Sequence, residues 1–260
     1  MDYETLTITK SKNVASIVLN RPERLNSFDL QLGEDLYQVL RDITIDPQIR
    51  AVVITGTGKG FCGGGDVKEM HLAKEKSQFL RDLTRAIHRC VIEIRTMEKP
   101  VIAAVNGAAF GAGLSLALAC DIIIAVEGTK MGTAFIGIGL APGCGTQFFT
   151  KIVGYHKACE YILTSKVFTA EEAATMGLIN KVVKAEHLDD AVEELLVTFK
   201  RLPPLAVGRA KMLINASQDN DMISHLELES RTAAASASTE DFKEGVAAFF
   251  EKRKPIFKGQ

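Results

Sequence analysis

"KPVIAAVNGAAFGAGLSLALACDIIIA", residues 99–125, opens on one short apolar run, "VIAAVNG" (101–107), and ends inside another, "DIIIAVE" (121–127). Each run is continuous rather than alternating, and each is bounded by glycine or charge. That is the pattern of a strand buried on both faces of a parallel sheet. "AVVITG" (51–56) has the same form. Between the two runs the first strand ends at Asn106, glycines follow, and an apolar helix starts near Ala112. Strand, glycine turn, helix and strand in this order predict an α/β fold.

Working outward, "TLTITK" and "VASIVLN" alternate β-branched with polar residues around "SKN", which predicts a hairpin. "FDLQLGEDLYQVLRDIT" carries apolar residues at helical spacing, with Asp29 placed in the first turn. A long amphipathic stretch covers 68–98. Beyond Gly145 the pattern is mostly helical, at 146–153, 156–164, 170–176, 188–201 and 204–216, with one short strand near "INKVV". The expected organisation is an α/β core over 1–200 and a helical C-terminal appendage over 201–260. There is no exact repeat, low-complexity segment or clear linker.

A chain of 260 residues accommodates this with a full-sized core. Its 31 basic and 32 acidic residues give no reason to expect nucleic acid as a partner. Cysteines 62, 90, 120, 144 and 159 are odd in number and never form a C-x-x-C pair, which argues against a disulfide framework or a zinc site. The five histidines form no HxxxH pair, so no metal is expected. Residues 1–25 are charged from the second position and lack a leader's apolar core; other apolar stretches fall short of a membrane span. The expected setting is cytoplasmic, without membrane contact.

Two glycine-rich segments attract attention as chemistry. "GKGFCGGGDVKEM" (58–70) leaves backbone N–H groups approachable between a strand and a helix, yet fits neither nucleotide-phosphate spacing. By itself it reads either as a structural turn or as a ligand loop. "NGAAFGAGLSLALACD" (106–121) ends in a helix N-terminus whose unpaired N–H groups suit developing negative charge, or else its glycines only allow close packing. Taken together, the two loops could each aim one N–H at a common point. Such a pair is an oxyanion hole and needs no charged side chain.

"LNRPERLNSF" (19–28), "GFCGGGD" (60–66), residues 99–125 and "EGVAAFFEKRKPIFKG" (244–259) together resemble the crotonase, or enoyl-CoA hydratase/isomerase, superfamily in order and spacing along the whole chain. The resemblance implies a crotonase-like spiral of ββα units, with residues 201–260 serving trimerisation in a homotrimer or a dimer of trimers. It implies an acyl-CoA substrate, so that coenzyme A enters as part of the thioester and no cofactor is tightly bound. The oxyanion donors would be the Gly65 and Ala112 amides. Arg24 matches the basic residue that approaches the CoA phosphates. By the same resemblance Ser27, Gly63, Asp66, Val67, Gly111, Phe135, Leu140, Pro142 and Gly143 line the substrate site. The resemblance also implies that Phe249, Lys252 and Lys258, in a segment that in the family reaches a neighbouring subunit's CoA site, contribute to ligand contact.

The chain departs from the family at its acids. The two hydratase glutamates fall at Ser115 and Phe135, and the isomerase acid falls at Gly143 in "GLAPGCGT" or, because that loop is one residue short, at Pro142. None of these can serve as a general acid or base without help. The motifs come nearest to the ring-modifying isomerases of phenylacetyl-CoA catabolism, whose aspartate is also missing. Asp66, Ser115, Glu69 and His71 are the remaining proton-transfer candidates; Cys62 and Cys144 read as packing, and Thr133 as a holder of water. Two functions are therefore expected: an isomerase or specialised hydratase driven by enolate stabilisation, or a non-catalytic acyl-CoA-binding or assembly subunit.

Overall fold

The computed structural model describes residues 3–260. β1 (Leu6–Ser11) and β2 (Val14–Leu19) form the expected hairpin, running antiparallel from Leu6 opposite Leu19 to Ser11 opposite Val14. Its two-residue turn puts Lys12 and Asn13 at φ 48° and 65°. Two left-handed residues match the right-handed twist of the flanking strands. α1 (Leu30–Ile45) follows. Asp29 is its N-cap rather than a first-turn residue, with the carboxylate accepting from the Leu32 N–H at 2.7 Å.

Three turns of a spiral come next. The first holds β3 (Ala51–Gly56), β4 (Gly60–Cys62), α2 (Val67–Leu72) and α3 (Lys76–Thr96). β5 (Val101–Val105), β6 (Ala108–Phe110) and α4 (Ala112–Ala119) make the second; β7 (Ile122–Val126), β8 (Lys130–Gly132) and α5 (Thr146–Val153) make the third. The chain continues through α6 (Tyr155–Leu163), β9 (Phe168–Thr169), α7 (Ala170–Thr175), β10 (Lys181–Val183) and α8 (Leu188–Arg201). α9 (Pro204–Ala216), α10 (Met222–Ala237) and α11 (Glu240–Phe250) complete it. In each turn the first strand joins a sheet ordered β1-β2-β3-β5-β7-β10 and the second joins a sheet ordered β4-β6-β8-β9. The expected ββα spiral is the result.

The continuous apolar runs are explained by burial on both faces. Val52, Ile54, Val101 and Ala103 face the main core, where α1 and α3 pack. Ala51, Val53, Ile102 and Ala104 face the opposite way, onto Leu188, Val192 and Leu196 of α8. All eight residues of α4 are buried between the elements of the spiral. That close approach demands Gly113, since a Cβ there would lie 2.1 Å from the Cys62 carbonyl oxygen.

The amphipathic stretch 68–98 folds as two helices, α2 and α3. No glycine or proline marks the break at Ala73–Glu75. It lets both helices reach one cavity, with Met70 on α2 and Leu83 on α3 facing the same space. The three-residue strands β4 and β6 escape periodicity because they lie inside glycine-rich turns too short to show a repeat.

The C-terminal helices are tied to the core by Lys211 of α9. Its ammonium lies 2.7 Å from Asp121 Oδ2 and donates to the carbonyls of Ile94 and Lys99 at 2.7 and 2.9 Å. Burial lowers the Lys211 pKa, and the Asp121 charge opposes that shift. Among the described residues no helix is long and apolar enough to cross a membrane.

Candidate active site

Gly65 is held by a single parallel bridge to Phe28. The Phe28 N–H donates to the Gly64 carbonyl and the Asp66 N–H donates to the Phe28 carbonyl, both at 2.7 Å. Extended backbone alternates its polar groups, so the Gly65 N–H must point away from Phe28. Ala112 is the first residue of α4, where an amide has no intrahelical acceptor. Neither amide finds a partner among the described residues. The two loops touch: Gly64 sits at φ 111°, and a Cβ built on it would lie 3.8 Å from the Ala112 nitrogen.

Gly65 and Ala112 both line a cavity of about 270 Å³. Val67 and Met70 of α2 and Leu80, Leu83 and Ile87 of α3 form one wall; Ala134, Phe135, Ile138, Leu140 and Ala141 form the other. Gly63, Gly111 and Gly143 complete it with backbone. Thr84 alone brings a polar side chain, and its hydroxyl donates to the Leu80 carbonyl at 2.8 Å. No carboxylate, imidazole, amine or thiol lines the chamber among the described residues. The α3 wall is the part that sequence motifs do not mark; its only signal is the amphipathic spacing.

The "GLAPGCGT" loop is packed against α3. A Cβ on Gly143 would lie 2.9 Å from the Thr84 methyl, and His88 Nε2 donates to the Gly143 carbonyl at 2.7 Å. The Phe135 ring lies over Gly111, 3.7 Å from where a Cβ would stand. Just before it, Ala134 takes φ 54°, and the buried Thr133 hydroxyl has no partner.

Several sequence candidates stand elsewhere. Asp66 does not line the chamber; it caps α2, accepting from the Lys68 and Glu69 N–H groups at 3.1 and 3.3 Å, and pairs with Arg21 at 3.2 Å. Ser115 is buried off the chamber with its hydroxyl 3.0 Å from the carbonyl oxygens of both Gly111 and Cys144, so its one proton is committed to backbone. Glu69, His71, Ser27 and Pro142 are outside the lining as well. Burial pushes the Cys62 thiol up to about 12 and raises that of Cys144, which leaves neither poised as a nucleophile.

Arg24 is half-buried in the turn Pro22–Arg24, and its guanidinium makes no hydrogen bond or ion pair among the described residues. Phe249 borders a separate groove of about 430 Å³ beside α9 and α11. Lys252 lies just past α11 at φ 55°, and the Lys258 N–H donates to Asp241 Oδ1 at 2.6 Å. None of these three residues meets the chamber of its own chain. No group of His, Cys, Asp and Glu among the described residues is arranged to hold a metal ion.

The paired sheets and the ββα spiral define the crotonase fold. The structure superimposes on an enoyl-CoA hydratase from Bacillus anthracis with a TM-score of 0.94, at 33% identity, covering 99% of this chain and 100% of that one. Residues 9–260 match the sequence profile of the enoyl-CoA hydratase/isomerase family, and the chain belongs to that family. A 1,2-epoxyphenylacetyl-CoA isomerase from Escherichia coli (strain K12) is 36% identical, covering 96% of both chains. A short-chain-enoyl-CoA hydratase from Clostridium acetobutylicum is 35% identical, covering 98% of this chain and 97% of that one.

Proposed function

We propose that the chain is an acyl-CoA isomerase in which the Gly65 and Ala112 amides polarise a thioester carbonyl and stabilise its enolate. The reading is carried by the two partnerless amides that meet at the wall of a chamber free of ionisable side chains. Backbone donors held in an apolar, water-poor site act strongly on developing negative charge because no solvent competes and nothing reorganises. The apolar lining selects an uncharged acyl group. Arg24, left without a partner, is placed in the chain segment that the family resemblance assigns to the CoA phosphates.

Hydration by a carboxylate pair is disfavoured. It needs one group to take a proton from water and another to protonate carbon, and Ser115, Phe135 and Gly143 supply neither. A rearrangement of bonds within the acyl group asks less of the side chains. The kinship with a 1,2-epoxyphenylacetyl-CoA isomerase points the same way and makes cyclic or conjugated acyl-CoA thioesters the first class to test. A chamber wall without ionisable side chains also favours one other reading, an acyl-CoA-binding subunit without catalysis.

Incubation with crotonyl-CoA and with cyclic dienoyl- and epoxyphenylacetyl-CoA thioesters, followed by chromatographic separation of isomers and mass analysis of each peak, separates these readings. The expected result is an isomer of unchanged mass from a cyclic thioester and negligible hydration of crotonyl-CoA. Hydration at ordinary hydratase rates refutes the isomerase assignment, and tight binding without any product establishes the non-catalytic one. Gly65→Pro, which removes one donor, should lower kcat by about 10²–10³-fold.

A further inference from the structure

We propose that Arg21 is the positioning residue that aims the Gly65 amide, acting through Asp66; the inference rests on the reading of that amide as a carbonyl-polarising donor. Gly65 is presented by a bridge one residue long, held by two hydrogen bonds to Phe28. Before the bridge the Gly63 N–H donates to the Leu25 carbonyl at 2.8 Å, which leaves the Asp66 side of so short a pairing to be held by side chains. Arg21 holds it from the side. One guanidinium nitrogen donates to the Ser27 carbonyl. The other lies 2.8 Å from Asp29 Oδ2 and 3.2 Å from Asp66 Oδ2. The partners are thus both chain neighbours of Phe28 and the residue that follows Gly65.

The cluster is sheltered, with the side chains of Arg21, Asp29 and Asp66 at 14%, 20% and 5% exposure. Little solvent competes for these bonds, and Phe28 itself is fully buried. Asp66 is shared between two tasks: Oδ1 accepts from the α2 amides while Oδ2 meets Arg21. Arg21 therefore couples the α1 cap, the bridge and the start of α2 into one unit around the Gly65 peptide. A planar fork reaching three acceptors suits arginine, and a lysine ammonium cannot span them. Arg24, three residues on, makes no such contact. The family resemblance marks Arg24 alone; the contacts of Arg21 are visible only in the fold.

The test uses 4-(dimethylamino)cinnamoyl-CoA, a conjugated thioester whose absorption moves to longer wavelength as its carbonyl is polarised. The full-length protein should bind it with a red shift. Arg21→Met should retain binding and lose most of the shift, and Arg21→Lys should recover only a part. With any thioester the wild type converts, Arg21→Met should lower kcat about 10²-fold with KM little changed, because the donor is misaimed while the chamber persists. Should Arg21→Met fail to fold, Asp66→Asn keeps an oxygen for the α2 cap, breaks the ion pair and should give the same split. A full red shift and unaltered kcat in a folded variant of either residue overturn the role of Arg21. A bound probe without any shift in the wild type overturns the Gly65 reading as well, so the two failures are told apart.

Discussion

Gly143 is where one missing atom has the widest consequence. The family resemblance places an acid there or at Pro142, and at Gly143 a side chain meets an obstacle: a Cβ would press within 2.9 Å of the Thr84 methyl. Gly143→Asp should destabilise the protein by about 1–3 kcal/mol, the usual cost of overpacking. Adding Thr84→Ser, which removes that methyl, should recover most of the loss in urea unfolding; an equal loss in the double variant would show that the contact is not the cause. That Ser115, Phe135 and Gly143 stand at positions the resemblance gives to acids was legible in the sequence, because a residue's identity is local. Their meaning was not. That Ser115 shares its hydroxyl with the Cys144 carbonyl and Asp66 pairs with Arg21 depends on partners 29 and 45 residues away.

At the level of elements, the strands of the large sheet and most helices follow from period and composition. β4, β6 and β8 do not, because three residues in extended form carry no detectable repeat and are stabilised by pairing with each other. The break between α2 and α3 likewise answers to packing over a shared chamber. The C-terminal tail is an element built by charge. Arg253 binds Glu244 through two nitrogens at 2.6 and 2.8 Å, and the Ile256 N–H donates to the same carboxylate at 2.8 Å. The Arg253 hydrogen bonds foremost, then that of Ile256, bring the Glu244 pKa down to about 2. Since the folded pKa lies below the ordinary 4.5, this contribution is complete above pH 4.5 and is lost as pH falls through about 2. Hydrogen exchange at the Ile256 amide, corrected for intrinsic rate, should be constant above that range and accelerate below it. Glu244→Gln should flatten the dependence, and an unchanged profile would discount the strap.

On the scale of the whole molecule, residues 201–260 extend the core without closing its chamber. Lys211 anchors them by a buried ion pair, while Phe249, Phe250 and Ile256 stand 79%, 78% and 71% exposed. So much aromatic surface on a tail favours its burial against further copies, and we propose the homotrimer, or a pair of trimers, as the working assembly. Light scattering on the eluting protein should give three or six times the chain mass, and Phe249→Asp with Phe250→Asp should shift it downward. A monomer at micromolar concentration would remove the assembly from the account. Local information sufficed for the α/β class and the family motifs, since runs, glycines and residue identities are written along one chain. The lack of a partner for the Gly65 amide, the Arg21 contacts to Ser27, Asp29 and Asp66, and the apolar lining of the chamber arise only from contact between distant segments. A backbone N–H is the same group in every residue but proline, and folding alone decides which one is left without a partner.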